Sequence, residues 1–365
     1  MTLNTSTADE WYRSCFERAS RYLDLDASTI VSSGSLAEVR VIGTKRRMPW
    51  MTVLGLVYAS LTRSGCYPRV VKNSRGVFLM IRRANPARPR VLLWGILAVI
   101  TIASVYYSGV GLSSSYPGRG LPSSPLGYLL GLLVPLLAHE TGHWIVLRKY
   151  RTPASPPYLL PAPPIQAGFL GTFGAIINLR WLPPTEKALA LSGIAGPLAG
   201  FLVAIPFALW GLKASIIVPS SVAREGAIPL VPLIYAVLPP PRPLGPHEVV
   251  VLSPMGFAAY IVFFVTFLNL IPVSTLDGGH IVRALLGYKG HKIMSNIAIT
   301  LLILASIKWH MLVLFAAIAL FFHLRTRQGH PGSAMGASEI GNPVMGLVGV
   351  IYVVLLLLTL PVPAR

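Results

Sequence analysis

His139 and His143 stand four residues apart, with Glu140 beside the first of them, inside the apolar run Leu126–Leu147. On an α-helix, positions i and i+4 share a face with Cβ atoms about 5–6 Å apart. Both imidazoles can therefore reach one metal ion, and the carboxylate lies next to it. This is the HExxH arrangement, in which two histidines hold zinc and the glutamate serves as general base. A lone histidine in such a helix would read as a packing residue. A carboxylate at membrane depth is expensive and points to function.

A catalytic zinc takes three protein ligands and keeps one position open. The chain has 12 acidic residues, half of them before residue 40. Among the later ones, Glu186, Glu225, Glu248 and Glu339 fall in polar or Pro-rich connections, whereas Glu140 and Asp277 interrupt or adjoin long apolar segments. Asp277 is the candidate third ligand: Pro272 before it and Gly278-Gly279 after it break the helix, so its carboxylate can turn inward. A helix cap or structural ion pair is the plainer alternative. His280 reads as a loop or cap residue, or as an outer partner of a ligand. His247, His291, His310, His323 and His330 fall at predicted element ends or loops and read as interfacial.

The elements that must carry these residues are apolar. The 365 residues are 53% hydrophobic and 12% charged, against about 25% charged in soluble domains. A spanning helix needs about 20 apolar residues. Residues 91–110, 126–147, 188–212, 252–273 and 343–360 qualify, and 293–322, split by Lys308, reads as a hairpin of two short or tilted spans. The expectation is an all-α polytopic membrane protein of about six to seven transmembrane helices. Gly226–Leu238 is short, Pro-rich and interfacial or partly re-entrant. Residues 153–164 hold six prolines, and a Gly-rich stretch with strand character, 168–179, follows. Irregular backbone at membrane depth must be buried in protein or line a wet cavity, so this segment reads as a re-entrant β-like hairpin over the metal-bearing helix.

Residues 1–88 read as a small soluble α+β domain ending in a basic linker, and 89–365 as the transmembrane domain, with its core at 125–290. Helices are expected around Trp11–Leu23 and Trp50–Leu61, a strand at 37–43, and a hairpin turning at Asn73-Ser74-Arg75-Gly76. No apolar signal segment opens the chain. Arg82, Arg83, Arg88 and Arg90 precede the first span; Arg148, Lys149 and Arg151 follow the second; Arg283, Lys289 and Lys292 follow the fourth; Arg325 and Arg327 follow the sixth. The positive-inside rule then places them, the N-terminus and the metal-bearing ends on the cytosolic side of a cell membrane. Lys213, Arg224 and Arg242 are a mild counter-signal. The net charge of +19 fits attraction to anionic lipid better than nucleic-acid binding. Cys15 and Cys66, in a region read as cytosolic, are expected to be free thiols.

His139-Glu140-Thr141-Gly142-His143 on one membrane helix, with Asn269-x-x-Pro272-x-x-x-x-Asp277-Gly278 on a later one, resembles the site-2 protease family of intramembrane zinc metalloproteases. Gly171-Thr-Phe-Gly174 and Gly193-Ile-Ala-Gly196-Pro-Leu-Ala-Gly200 are similar to further family segments, and the resemblance covers roughly residues 125–290. It implies that His139, His143 and Asp277 hold one zinc per chain. It also implies that Glu140 passes a water proton to the leaving amide and that Asn269 hydrogen-bonds the substrate carbonyl or backbone. The substrates it implies are transmembrane proteins cut within the bilayer, as in regulated intramembrane proteolysis. The Gly193–Gly200 pattern on its own reads as close helix packing. A metal or ion transporter lined by His and carboxylate is a competing function, but the acidic residues are too few for it. Another class of membrane metallopeptidase would place its third ligand in a different motif.

Overall fold

The computed structural model describes residues 5–33, 35–45, 49–83, 91–221, 229–325, 330–336 and 342–363. The chain begins with α1 (Thr5–Ala19), β1 (Leu23–Ser33), β2 (Leu36–Thr44), α2 (Trp50–Arg63), β3 (Cys66–Asn73) and β4 (Gly76–Arg83). The strands form an antiparallel sheet in the order β1-β2-β4-β3. Asn73 pairs with Gly76, so Ser74-Arg75 is a two-residue hairpin turn. Strand β1 is the element the sequence hid: its ladder with β2 is irregular after Asp24 and after Asp26, which erases the period-two alternation that reveals strands.

Helices α1 and α2 lay Tyr12, Phe16 and Ala19 with Val53, Leu54, Val57 and Leu61 against Val39, Leu79 and Ile81 of the sheet. Within that core, Cys15 and Cys66 are joined by a disulfide, with a Cα–Cα distance of 6.2 Å. This corrects the free-thiol expectation. The two cysteines are 51 residues apart, and only the packing of α1 across the start of β3 brings them together. Closing a loop of that length is typically worth about 2–4 kcal/mol. A Cys15→Ala/Cys66→Ala protein should be destabilised by about that amount in denaturant titration, and the oxidised wild type should show no alkylatable thiol. The same core is completed from the rest of the chain by Ala334 and Met335, with Trp181 and Leu182 packed against it.

The remainder runs α3 (Val91–Ser114), α4 (Pro125–Lys149), β5 (Tyr158–Pro161), β6 (Thr172–Ile176), α5 (Glu186–Lys213), β7 (Ile216–Pro219), β8 (Leu230–Pro232), α6 (Ile234–Val237), β9 (Glu248–Val251), α7 (Pro254–Leu270), α8 (Asp277–Lys308), α9 (Val313–Arg325), α10 (Pro343–Thr359) and β10 (Pro361–Pro363). Among the described residues, α3, α4, α5 and α8 are long and apolar enough to cross a membrane, and α7, α9 and α10 are apolar but shorter. The break at Lys308 falls where expected. Helix α8 is further interrupted at Gly287, whose φ of 69° and ψ of −170° are non-helical. Of the expected interfacial segment 226–238, residues 226–228 lie outside the described residues; the rest contains β8 and α6. The basic residues Arg88, Arg90, Arg224 and Arg327, and the 88/89 boundary, also lie outside them.

Three of these helices start the same way. Ser124-Pro125, Ser253-Pro254 and Asn342-Pro343 each place a capping side chain on a backbone N–H two or three residues on, with proline as the first helical residue. Proline there gives up an N–H that would be unpaired anyway. Helix α5 is the central post of the molecule. Gly193, Gly196, Phe201, Ala204 and Ala208 are buried, and Phe201 meets Phe263 of α7 with ring centroids 5.2 Å apart.

Candidate metal centre

Helix α4 delivers His139 and His143 from its second half, four residues after Pro135 and before the basic end Arg148-Lys149. Helix α8 delivers Asp277 as its first residue; Leu276, not Asp277, occupies the N-cap position. The carboxylate is therefore free of the capping role and turns toward α4. His139 Nε2 lies 3.2 Å from Asp277 Oδ2 and 3.1 Å from His143 Nε2. His143 Nε2 lies 3.4 Å from the same Oδ2.

These three atoms form a triangle of edges 3.1, 3.2 and 3.4 Å. A tetrahedral zinc with ligands at about 2.0–2.1 Å has edges of about 3.3–3.4 Å. The donor chemistry agrees. His143 Nδ1–H donates to the Ser192 carbonyl at 2.5 Å, which fixes the tautomer and leaves Nε2 with a bare lone pair. That lone pair faces a second ring nitrogen and a carboxylate oxygen. Only a shared cation or proton holds such atoms together. Among the described residues, His139, His143 and Asp277 are the one group of three that could hold a metal ion.

Helix α5 forms the floor of this site. A Cβ on Gly196 would fall onto the His143 ring, with Cε1 at 2.5 Å. One on Gly200 would lie 2.9 Å from His139 Cβ, and one on Gly193 would lie 3.0 Å from the Asp277 carbonyl. The small-residue pattern is thus packing, as its spacing suggests, but packing against all three candidate ligands. The Ser192 carbonyl left no sequence signal, because any residue type can supply it.

Glu140 is half-buried next to His139. Asn269 is half-buried in the last turn of α7. His291 and His330 are 3% and 2% exposed, which corrects their interfacial reading. Their burial comes from tertiary packing that no local pattern shows. Glu186 also departs from its loop reading. It is buried in the first turn of α5, with Oε1 3.5 Å from Arg283 Nη1.

Strands β5 and β6 pair antiparallel, with a register shift at Leu160/Pro161. The hairpin is pinned to α3 and α4. Trp94 Nε1 donates to the Pro157 carbonyl at 2.7 Å, Ser104 Oγ to Ala162 at 2.6 Å, and Tyr128 OH to Leu170 at 3.1 Å. Gly171, at φ 85°, sits where a Cβ would lie 2.7 Å from Val105 Cα, so only glycine fits. Phe173 and Ile176 of β6 are exposed, at 65% and 50%.

A bundle of apolar helices that brings two histidines and one carboxylate together defines a membrane metalloprotein. A model of peptidase family M50 matches residues 127–313, more than half of the chain, and the chain belongs to that family, the site-2 proteases. It is 27% identical over 256 residues to the probable zinc metalloprotease EGY1, chloroplastic, of Arabidopsis thaliana, covering 65% of this chain and 43% of that protein. It is 26% identical over 226 residues to the probable zinc metalloprotease EGY3, chloroplastic, of Oryza sativa subsp. indica, covering 55% and 37%. The rice (Oryza sativa subsp. japonica) EGY1 protein is 30% identical over 186 residues, covering 48% and 30%. The matched stretch is thus less than half the length of these relatives. No solved structure matches the chain.

Proposed function

We propose that this chain is an intramembrane zinc endopeptidase that hydrolyses peptide bonds within or near transmembrane helices of membrane-anchored substrates, in the manner of regulated intramembrane proteolysis. The observation that carries the reading is the His139–His143–Asp277 triangle with Glu140 beside it on the same helix. His139, His143 and Asp277 hold the metal. Zinc, when bound there, supplies the Lewis-acid polarisation and the acidified water on which zinc hydrolases depend. Glu140 takes a proton from the attacking water and returns it to the amide nitrogen as the C–N bond breaks, leaving a carboxylate and an amine. Asn269, near the end of α7, is the candidate to hydrogen-bond the substrate backbone.

A substrate helix hides its carbonyls in i→i+4 bonds, so it must unwind locally before hydrolysis. The β5–β6 hairpin is suited to receive the unwound strand by edge pairing, and its apolar, exposed Phe173 and Ile176 fit a re-entrant position in the bilayer. If unwinding precedes cleavage, each Ala→Gly change beside the scissile bond loosens the substrate helix by about 1 kcal/mol. Cleavage of such a substrate in proteoliposomes should then be up to about fivefold faster. Equal rates for the paired substrates would sink the unwinding step.

The basic residues at the ends of the spans favour a cytosolic N-terminal unit and a metal centre toward the same side. The Cys15–Cys66 bond weighs against a reducing compartment. Labelling Ser28→Cys, an exposed site, with a membrane-impermeant thiol reagent in intact cells decides between the two. Protection until the cells are opened supports the cytosolic placement. The proteolytic reading itself is tested by mass-spectrometric mapping of the cut in a reconstituted single-span substrate. A cut inside or at the edge of its apolar segment supports the reading, and cleavage confined to distant soluble loops refutes it.

A further inference from the structure

His330 lies beyond the residues that match the family model, on a short strap, 330–336, that joins three parts of the molecule. On one side the strap meets the N-terminal sheet: Val70 N–H of β3 donates to the Ala334 carbonyl at 2.8 Å, and Arg69 Nη2 to the Pro331 carbonyl at 3.2 Å. On the other it meets the start of α5. Ala334 and Met335 N–H groups donate to the Pro183 and Pro184 carbonyls at 2.8 and 3.0 Å, and Ser333 Oγ donates to Glu186 Oε1 at 3.1 Å. Arg283 of α8 closes the clamp, with Nη1 3.5 Å from Glu186 Oε1 and Nε donating to the His330 carbonyl at 3.3 Å. Gly332, at φ 76°, lets the strap pass: a Cβ there would lie 2.5 Å from Arg283 Nη2.

The strap ends in a histidine pair. His330 Nε2 and His280 Nδ1 are 2.6 Å apart, and His330 Nδ1 accepts the Gly332 N–H at 3.0 Å. The hydrogen-bond pattern assigns both tautomers. An Nδ1 that accepts a backbone N–H carries no proton, so the His330 proton is on Nε2 and is donated to His280. His280 Nδ1 is then the acceptor, and the His280 proton is on Nε2. His280 lies one helical turn past Asp277 on α8, and that same turn is pressed on Gly193 of α5, where a Cβ would lie 2.9 Å from Ile281 Cγ1, 3.0 Å from the Asp277 carbonyl oxygen and 3.2 Å from His280 Cβ. The turn that carries Asp277 is thus held between α5 and the strap.

We propose that His330 is a positioning residue for the metal centre: it holds the His280 imidazole in one tautomer and orientation, and so fixes the first turn of α8, from which Asp277 reaches the two histidines of α4. The N-terminal sheet, by holding the strap, helps to hold His330. The inference rests on the metal-centre reading above. It differs from a purely structural role for the strap, which would set stability without touching the metal.

The test uses the full chain in detergent, with His330→Ala and His330→Gln beside wild type. Glutamine keeps an N–H donor near the position of the lost Nε2. Three quantities are read: the rate at which a chelator strips zinc, the thermal midpoint, and the 15N spectrum of histidine in the zinc-free protein, with His280 assigned by its own substitution. Outer partners of metal ligands typically contribute 10–100-fold to metal affinity, and this one acts a step further out, so zinc loss from His330→Ala should be about tenfold faster. His280 should leave its single tautomer in that variant, and His330→Gln should restore both readouts. A lowered midpoint with wild-type zinc loss and an unchanged His280 tautomer would overturn the proposal. If wild type itself binds no zinc, the metal-centre reading fails instead, and the His280 spectrum still decides whether His330 sets the tautomer.

Discussion

Glu140→Gln should leave zinc bound and lower kcat by about 10²–10⁴-fold, the usual contribution of a positioned general base. The side chain is not one of the three atoms that converge on the metal position, so its charge is not needed to hold the ion. Glutamine keeps its size and its half-buried place next to His139, but it cannot accept the water proton. KM should change little, because the lost interaction exists only on the way to the transition state. Asp277→Asn should behave differently and lose metal together with activity, since one corner of the ligand triangle would become a weak neutral donor. The pair of variants separates base from ligand in one experiment with two readouts, metal content and initial rate.

Gly196→Ala is expected to be almost as damaging, though it adds one methyl and no charge. The new Cβ would meet the His143 ring, with Cε1 at 2.5 Å, and the ring cannot swing away without giving up its hydrogen bond to the Ser192 carbonyl. A displacement near 1 Å at a reacting centre can cost about 10²-fold in rate, and overpacking of a tight helix contact costs about 1–3 kcal/mol. Activity should therefore fall at least about 10²-fold, with weakened zinc retention. Gly95→Ala on α3 is the control: nothing lies within 4 Å of a Cβ there. Its activity should match wild type, and its stability should be equal or higher by up to about 1 kcal/mol, because alanine favours a helix over glycine. Full activity in Gly196→Ala would mean that α5 does not form the floor of the site.

The two variants also show what the sequence could and could not reveal. The convergence of His139 and His143 was legible because helical periodicity alone puts i and i+4 on one face, whereas the base role of Glu140 rests on the proposal above. Asp277 was legible because carboxylates beside apolar spans are rare in this chain. The helix starts at Ser124-Pro125 and Ser253-Pro254 follow from local backbone chemistry. Gly196 was visible as a small-residue pattern, but its partner was not, since nothing local tells which face of α5 meets α4. The Ser192 carbonyl, the Cys15–Cys66 bond and the burial of His291 and His330 depend on contacts across the fold. Polar residues that the chain order places in loops, such as His330 and Glu186, are buried only because the strap crosses the start of α5 and the N-terminal sheet covers it. Strand β1 was lost for a different reason, an irregular ladder that removes the alternation.

The central claim is that one metal held by His139, His143 and Asp277 drives cleavage. The direct measurement strips wild-type protein with a chelator, returns zinc in known amounts, and follows both bound metal and cleavage of a reconstituted single-span substrate, beside a His139→Ala/Asp277→Ala protein treated alike. The account predicts that cleavage vanishes on stripping and returns in step with about one zinc per chain, while the double variant recovers neither. Cleavage that survives metal removal, or stoichiometric zinc retained by the double variant, would contradict it.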